Sequence, residues 1–276
     1  YSKIYNILNK EKEKSLLYLK NELKRVSLID GQPLSNITNT CCGCGACRVV
    51  CNYNAIEIEI NNNGFYEATF NKDLCVNCGL CKKVCPYNGI KATDIADSNS
   101  LYMLRSNSDD TLLSSSSGGA SHEIATYLIN KGYDVYGCTY DKEQNRAKHI
   151  KIDAADSEQL KRIQGSKYIQ SDTRNIYNEI FKSNKAVITG TPCQIAGIHN
   201  FLVMKKRRDD FILVELICHG VPSKYLWEKY IEEGNKKYSY GTHPEVRFRN
   251  KEKGWANKYI YLSGNNRKYD KKSKKD

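Results

Sequence analysis

Apolar residues change rhythm several times along this chain. Over residues 1–29, Ile4, Ile7, Leu8, Leu16, Leu17, Leu19 and Leu23 recur at helical spacing among Lys and Glu. That spacing predicts one amphipathic helix, ended by Gly31-Gln32-Pro33. Residues 39–92 drop the rhythm and carry cysteines instead, and residues 97–119 are polar and loop-like. From residue 121 the pattern predicts helix 121–131, strand 133–139, helices 156–164 and 173–183, strand 185–189, helix 193–203 and strand 211–218. A helix over 223–234 and strands at 245–249 and 258–263 follow. Alternating elements of these lengths predict an α/β layer structure.

The same pattern sets limits. No apolar run approaches the roughly 18 residues that a bilayer span needs. The best, Phe211 to Cys218, is strand-sized and contains Glu215. No signal peptide opens the chain, although residue 1 is Tyr rather than Met, and the lysine-rich end has no structural stop. Truncation at both ends is therefore expected. Three segments result: an N-terminal helical segment (1–38), a cysteine-rich unit (39–96) and an incomplete α/β domain (97–276). The formal charge of +12 sits partly in the tail, at Arg267, Lys268, Lys271, Lys272, Lys274 and Lys275. Without an aromatic-interleaved basic motif it does not point to nucleic acid. It suits a solvated surface or an acidic electron-transfer partner.

Nine of the twelve cysteines crowd into residues 41–85, and all but Cys42 stand at metal-ligand spacing, which points to a reducing cytoplasm rather than a disulfide scaffold. They form an internal repeat at an offset of 34 residues: Cys41, Cys44, Cys47 and Cys51 map onto Cys75, Cys78, Cys81 and Cys85. Gly45 maps onto Gly79, Val50 onto Val84, Tyr53 onto Tyr87 and Asn54 onto Asn88. Each half reads C-x2-C-x2-C-x3-C, the bacterial ferredoxin run, in which three cysteines hold one 4Fe–4S cluster and the fourth reaches the other. One cluster is thus expected on Cys41, Cys44, Cys47 and Cys85, the second on Cys75, Cys78, Cys81 and Cys51. Structural zinc fits poorly, because it favours separate pairs of ligands over three cysteines in seven residues. Asn52 stands where the second half has Pro86, and Cys42 falls outside the register as a spare packing cysteine.

The α/β domain offers three further loops. Ser116-Ser117-Gly118-Gly119 precedes a helix, where exposed N–H groups can hold an anion; a flexible linker is the alternative. Gly190-Thr191-Pro192-Cys193 leaves a buried strand and opens a helix, the place where open α/β sheets bind ligands, or else is an ordinary tight turn. Cys218-His219-Gly220-Val221-Pro222 ends the strand from Phe211, with Cys218 read as a buried core thiol and His219 as either a proton donor or a structural histidine. Cys138 is read as packing. No G-x-G-x-x-G or Walker pattern supports a nicotinamide or P-loop site.

In order, the two-cluster unit, Ser116–Gly119, Gly165-Ser166-Lys167-Tyr168-Ile169-Gln170-Ser171, Gly190-Thr191-Pro192-Cys193-Gln194, Cys218-His219-Gly220-Val221-Pro222-Ser223 and Val246-Arg247-Phe248-Arg249 through Trp255 resemble the coenzyme F420 hydrogenase/dehydrogenase beta subunit family. The resemblance implies an α+β fold: a bacterial two-cluster ferredoxin-like module, separately folded, followed by an α/β flavin-binding domain truncated at the C-terminus. It implies FAD beside two 4Fe–4S clusters. The isoalloxazine is expected near Gly190, Thr191, Pro192 and Cys193, the phosphates near Ser116, Ser117, Gly118, Gly119 and Lys167. Cys193 and His219 are the catalytic candidates. The implied partners are ferredoxin or another electron-transfer protein and a small organic substrate. Glu11 to Lys20 is similar to the terminal helix of polysaccharide pyruvyl transferases, which implies a fused or neighbouring transferase; a generic surface helix is the alternative. Three classes compete: a flavin-dependent iron–sulfur oxidoreductase, a cluster-only electron-transfer adaptor and a zinc-stabilised binding protein.

Overall fold

A computed structural model describes residues 41–88, 102–153, 156–251, 259–264 and 267–272. The helix expected over residues 1–29, with its likeness to a transferase, lies outside the described residues, as does Trp255. No helix among the described residues is long and apolar enough to cross a membrane.

The cysteine repeat is also a repeat of backbone. Gly45 and Gly79 both adopt the left-handed conformation (φ 82° and 74°) and cap the short helices α1 (Ala46–Val49) and α2 (Leu80–Val84). A side chain at either position would be strained, which is why both halves place glycine there. In both halves the amide three residues past that glycine bonds back to its carbonyl, at 3.1 Å from Arg48 and from Lys82. Between the halves, β1 (Ile56–Ile60) and β2 (Tyr66–Phe70) pair antiparallel, with Ile56, Ile58, Tyr66 and Ala68 turned inward. Strict alternation in Ile-Glu-Ile-Glu-Ile explains the one-sided burial.

Past α3 (Asp109–Ser114) and α4 (Ala120–Ile129), a five-stranded sheet has the order β5-β4-β3-β6-β7. Its strands are β3 (Asp134–Asp141), β4 (Arg146–Ile152), β5 (Ser171–Asp172), β6 (Ala186–Gly190) and β7 (Phe211–Glu215). β3 pairs antiparallel with β4, while β3–β6, β6–β7 and β4–β5 are parallel. Helices α5 (Ser157–Arg162), α6 (Ile176–Lys182) and α7 (Pro192–Met204) make the connections. The carboxyl ends of β6 and β7 therefore share one edge, where Leu216 N–H bonds to Gly190 C=O at 2.9 Å. Helix α8 (Lys224–Tyr238) and a three-stranded antiparallel sheet of β8 (Glu245–Asn250), β9 (Tyr259–Gly264) and β10 (Arg267–Lys272) complete the fold.

Three expectations change. The strand foreseen at 211–218 stops at Glu215, and Ile217 beyond it is 92% exposed. Cys218, expected as a buried core thiol, is exposed with it, because the chain leaves the sheet before reaching it. The cysteine unit, expected to fold separately, shares one continuous apolar core with the α/β domain. Cys44, Ala46, Val50, Ile56 and Ile58 pack in the same cluster as Tyr136, Tyr177, Ile188, Ile198 and Phe201. Apolar side chains therefore pack the two parts against each other.

Candidate functional site

Five cysteines line one cavity, the four expected ligands Cys41, Cys44, Cys47 and Cys85 and the extra Cys42, together with Ile58, Ala68 and Tyr87. Cys44 and Cys47 are only 7% and 8% exposed. Of the second set, Cys75 and Cys78 are exposed, and Cys51 and Cys81 are half-buried. Backbone amides point at these sulfurs: Gly43 N–H and Ala68 N–H reach Cys41 Sγ at 3.4 and 3.5 Å, and Ala55 N–H reaches Cys51 Sγ at 3.3 Å. Burial pushes the Cys41, Cys47 and Cys81 thiols up and the Cys85 thiol to about 11. Such thiols stay protonated unless a cation joins them, while the converging amides favour the thiolate once one does. Among the described residues no three His, Cys, Asp or Glu side chains converge tightly enough for a single metal ion. Thiols spread around one cavity are the donor set an iron–sulfur cube takes, since its thiolates stand at separate corners.

The segment Gln170–Arg174 grips this unit. Gln170 Nε2 donates to Cys42 C=O (3.0 Å) and Tyr66 C=O (3.2 Å), while its Oε1 accepts from Tyr66 N–H (2.6 Å). Thr173 Oγ1 and Tyr177 OH both donate to Cys44 C=O, at 2.8 and 2.9 Å. Arg174 lies over the Tyr66 ring and pairs with Asp172. Further along, Asn200 Nδ2 donates to Val84 C=O at 3.1 Å. Apart from the Arg174–Asp172 pair, none of these roles follows from spacing in the sequence; each depends on a partner more than a hundred residues away.

Under the Gly190–Cys193 turn runs a buried polar chain. Thr191 N–H donates to Gln194 Oε1 (3.0 Å), and Gln194 Nε2 donates to Ser171 Oγ (2.7 Å). Ser171 Oγ lies 2.9 Å from His149 Nδ1, and His149 Nε2 lies 3.1 Å from Thr189 C=O. Because Ser171 accepts from Gln194, the consistent assignment has its hydroxyl donating to Nδ1 and His149 carrying its proton on Nε2. Burial lowers the His149 pKa to about 4, so the ring stays neutral and the chain fixed. Cys193, in the first turn of α7, has its Sγ 3.4 Å from Thr191 Oγ1. Its pKa falls to about 6, chiefly through a hydrogen bond with the Cys42 thiol, which keeps its own proton.

The remaining loop residues gather at the same sheet edge with different partners. Ser116 Oγ accepts from Ser166 N–H at 2.7 Å, which brings the Ser116–Gly119 loop against the residue before Lys167. Gly119 caps α4, and Ser121 Oγ in that helix lies 3.5 Å from Thr189 Oγ1 at the end of β6. Ser117 C=O accepts from Lys251 Nζ at 3.1 Å. Lys167 Nζ donates to the carbonyls of Arg162, Gln164 and Gly165 at 3.0, 2.7 and 3.1 Å, so its three protons close the end of α5. Burial lowers its pKa to about 8. Pro192 is the first residue of α7, and His219 is exposed in the segment after β7.

Residues 40–89 match the family model of a 4Fe-4S dicluster domain, and residues 183–272 match that of the C terminus of the coenzyme F420 hydrogenase/dehydrogenase beta subunit. The resemblance read from the sequence is thus met at both ends of the described chain. Among solved structures, a chain of the F420-reducing NiFe hydrogenase complex from Methanosarcina barkeri, a xenon derivative, superposes with a TM-score of 0.45 at 14% identity. The match covers 62% of this chain and 60% of that one. No curated protein matches the sequence.

Proposed function

We propose that this chain is an iron–sulfur oxidoreductase subunit that relays single electrons between a redox partner and a flavin at the sheet edge. The observation that carries the reading is the cavity in which Cys41, Cys44, Cys47 and Cys85 meet, with Gly197 of α7, one turn past Cys193, packed so closely on it that an added Cβ would stand 2.8 Å from Cys44 Sγ. Cys41, Cys44, Cys47 and Cys85 hold one 4Fe–4S cluster; Cys75, Cys78, Cys81 and Cys51 hold the other. A bound flavin supplies exchange between one-electron carriers and a two-electron organic substrate. The chain's own residues do the rest. Amides of Gly43, Ala55 and Ala68 stabilise thiolate charge, while the Gln194–Ser171–His149 chain fixes the turn that faces the flavin.

Exposure gives the relay a direction in space. Cys75 and Cys78 lie at the surface beside exposed Leu74, Val76, Lys72 and Lys83, whereas Cys44 and Cys47 lie in the core. A partner with an acidic face, such as a ferredoxin, docks at the exposed loop in a reducing, cytoplasmic setting, and electrons pass inward from there. One observation favours the cluster-only adaptor instead: the Lys167 ammonium has all three protons engaged by carbonyls and offers none to a phosphate.

Anaerobic purification followed by iron, acid-labile sulfide and flavin analysis separates the readings. About eight iron per chain with bound FAD is expected. About eight iron without flavin selects the adaptor, and a colourless zinc protein refutes both.

A further inference from the structure

The Cys44 carbonyl takes two hydrogen bonds from side chains of the α/β domain. Thr173 Oγ1 donates to it at 2.8 Å and Tyr177 OH at 2.9 Å, which engages both lone pairs of the oxygen. All three residues are buried, so water does not compete for these bonds. Neither Thr173 nor Tyr177 lines the cavity of the cysteines, whereas Cys44 and Gly45 do. Any effect of the two hydroxyls on that cavity therefore passes through the Cys44–Gly45 peptide. A trans peptide sends its N–H opposite to its C=O, so clamping the carbonyl turns the Gly45 N–H away from α6. On the α7 side, an added Cβ on Gly197 would stand 2.8 Å from Cys44 Sγ and 3.3 Å from Tyr177 OH. Helix α7 thus closes over sulfur and hydroxyl together. The cysteine that the repeat maps onto Cys44 is Cys78, and that one is exposed.

We infer that Thr173 and Tyr177 are positioning residues that raise the reduction potential of the cluster held by Cys41, Cys44, Cys47 and Cys85. This rests on the dicluster reading and is independent of the flavin. Reduction adds one electron from the donor, with no bond made or broken, so the reduced cluster carries one more negative charge. The apolar core around Cys44 and Cys47 disfavours that charge. On burial alone the inner cluster would be harder to reduce than the exposed one, and inward transfer would run uphill. Hydrogen bonding is the lever that offsets burial. Each hydroxyl presents its hydrogen to the Cys44–Gly45 peptide and polarises it, which strengthens the N–H on the far side as a donor. The same two bonds hold the peptide still, so its dipole is in place before the electron arrives.

The test is an anaerobic redox titration of the full, iron-loaded chain with dithionite, followed by electron paramagnetic resonance, with iron counted in parallel. Tyr177→Phe and Thr173→Val each remove one donor and keep the bulk of the side chain. Each should lower one cluster midpoint and leave the other. The reduced-to-oxidised ratio of that cluster at a fixed potential should fall about threefold to tenfold, tenfold being about 59 mV for one electron. Thr173→Ser keeps the hydroxyl and should hold the parent midpoint. The shift should persist in a Cys75→Ser background, where the inner cluster remains. A merely structural role would lower the melting temperature and move no midpoint. The inference is overturned if both variants keep the parent midpoints at equal iron content, if the two midpoints move together, or if the shifted one rises. A parent protein without about eight iron overturns the dicluster reading itself, and the inference with it. Should Tyr177→Phe fail to fold, Thr173→Val against Thr173→Ser decides.

Discussion

Gln170→Met keeps the length of the side chain and deletes the amide that grips the cysteine unit at three backbone atoms. The native amide accepts from Tyr66 N–H at 2.6 Å and donates to Cys42 C=O at 3.0 Å and Tyr66 C=O at 3.2 Å. A hydrogen bond contributes about 1 kcal/mol net, and a partner left unsatisfied in a partly buried site costs somewhat more. Water reaches part of this junction, so three lost bonds sum to about 2–3 kcal/mol. In a chain of this size each kcal/mol moves the melting temperature by roughly 2–4 °C, which puts the expected fall at about 4–12 °C. The assay is thermal unfolding by circular dichroism, anaerobically and at one scan rate, after an iron count showing equal loading. Gln170→Glu sharpens it. A carboxylate can still accept from Tyr66 N–H but faces two carbonyls it cannot serve, so this variant should melt below Gln170→Met. If Gln170→Met melts within about 1 °C of the parent at equal iron content, Gln170 is a bystander and the docking argument fails.

Three other outcomes are expected. His149, with a native pKa of about 4 against an unperturbed value near 6.5, gives stability that is full above pH 6.5 and lost as pH falls towards 4. Between pH 7 and 5 the parent should therefore lose about 2 kcal/mol that His149→Asn does not, and parallel pH profiles in chemical unfolding would refute the assignment. Cys75→Ser, at the exposed loop, should lower iron from about eight to about four per chain with one electron paramagnetic resonance signal retained, whereas complete loss of iron would show that the two sets are not independent. Thr191→Trp places an indole in the turn at the carboxyl end of β6 and should abolish flavin binding at unchanged iron content; stoichiometric FAD in that variant would remove the flavin from this edge.

What the sequence made legible was local. The cysteine repeat is visible because a metal cage needs its ligands a few residues apart, and Gly45 and Gly79 mark the same left-handed turn twice. The β6–α7–β7 unit is visible because its strands are apolar runs between recognisable turns. Strand β4 escaped notice: two of its buried residues are Ala147 and His149, which give little strand signal. The docking role of Gln170, Thr173 and Arg174 was not legible either, because the carbonyls they serve become neighbours only after folding. The carbonyls that Lys167 serves at the end of α5 were not legible either, since its place in a motif pointed only to a phosphate.

The shared core and the directional exposure of the thiols belong to one argument. Electron transfer between carriers falls off steeply with distance, so a relay that ends at a sheet edge needs its last cage held rigidly against that edge. A flexible tether would give a wide spread of distances; a docked interface gives one. Here the buried thiols of Cys44 and Cys47 sit in the same apolar core as Ile188 of β6 and Ile198 of α7. Hydrogen bonds from Thr173, Tyr177 and Gln170 fix the loop that carries them. Cys75 and Cys78 are exposed, as the proposed docking of a partner there requires. On the proposed relay, the rigid end would face the sheet edge and the open end the partner, so the packing that stabilises the chain would also set the order in which the two clusters are used.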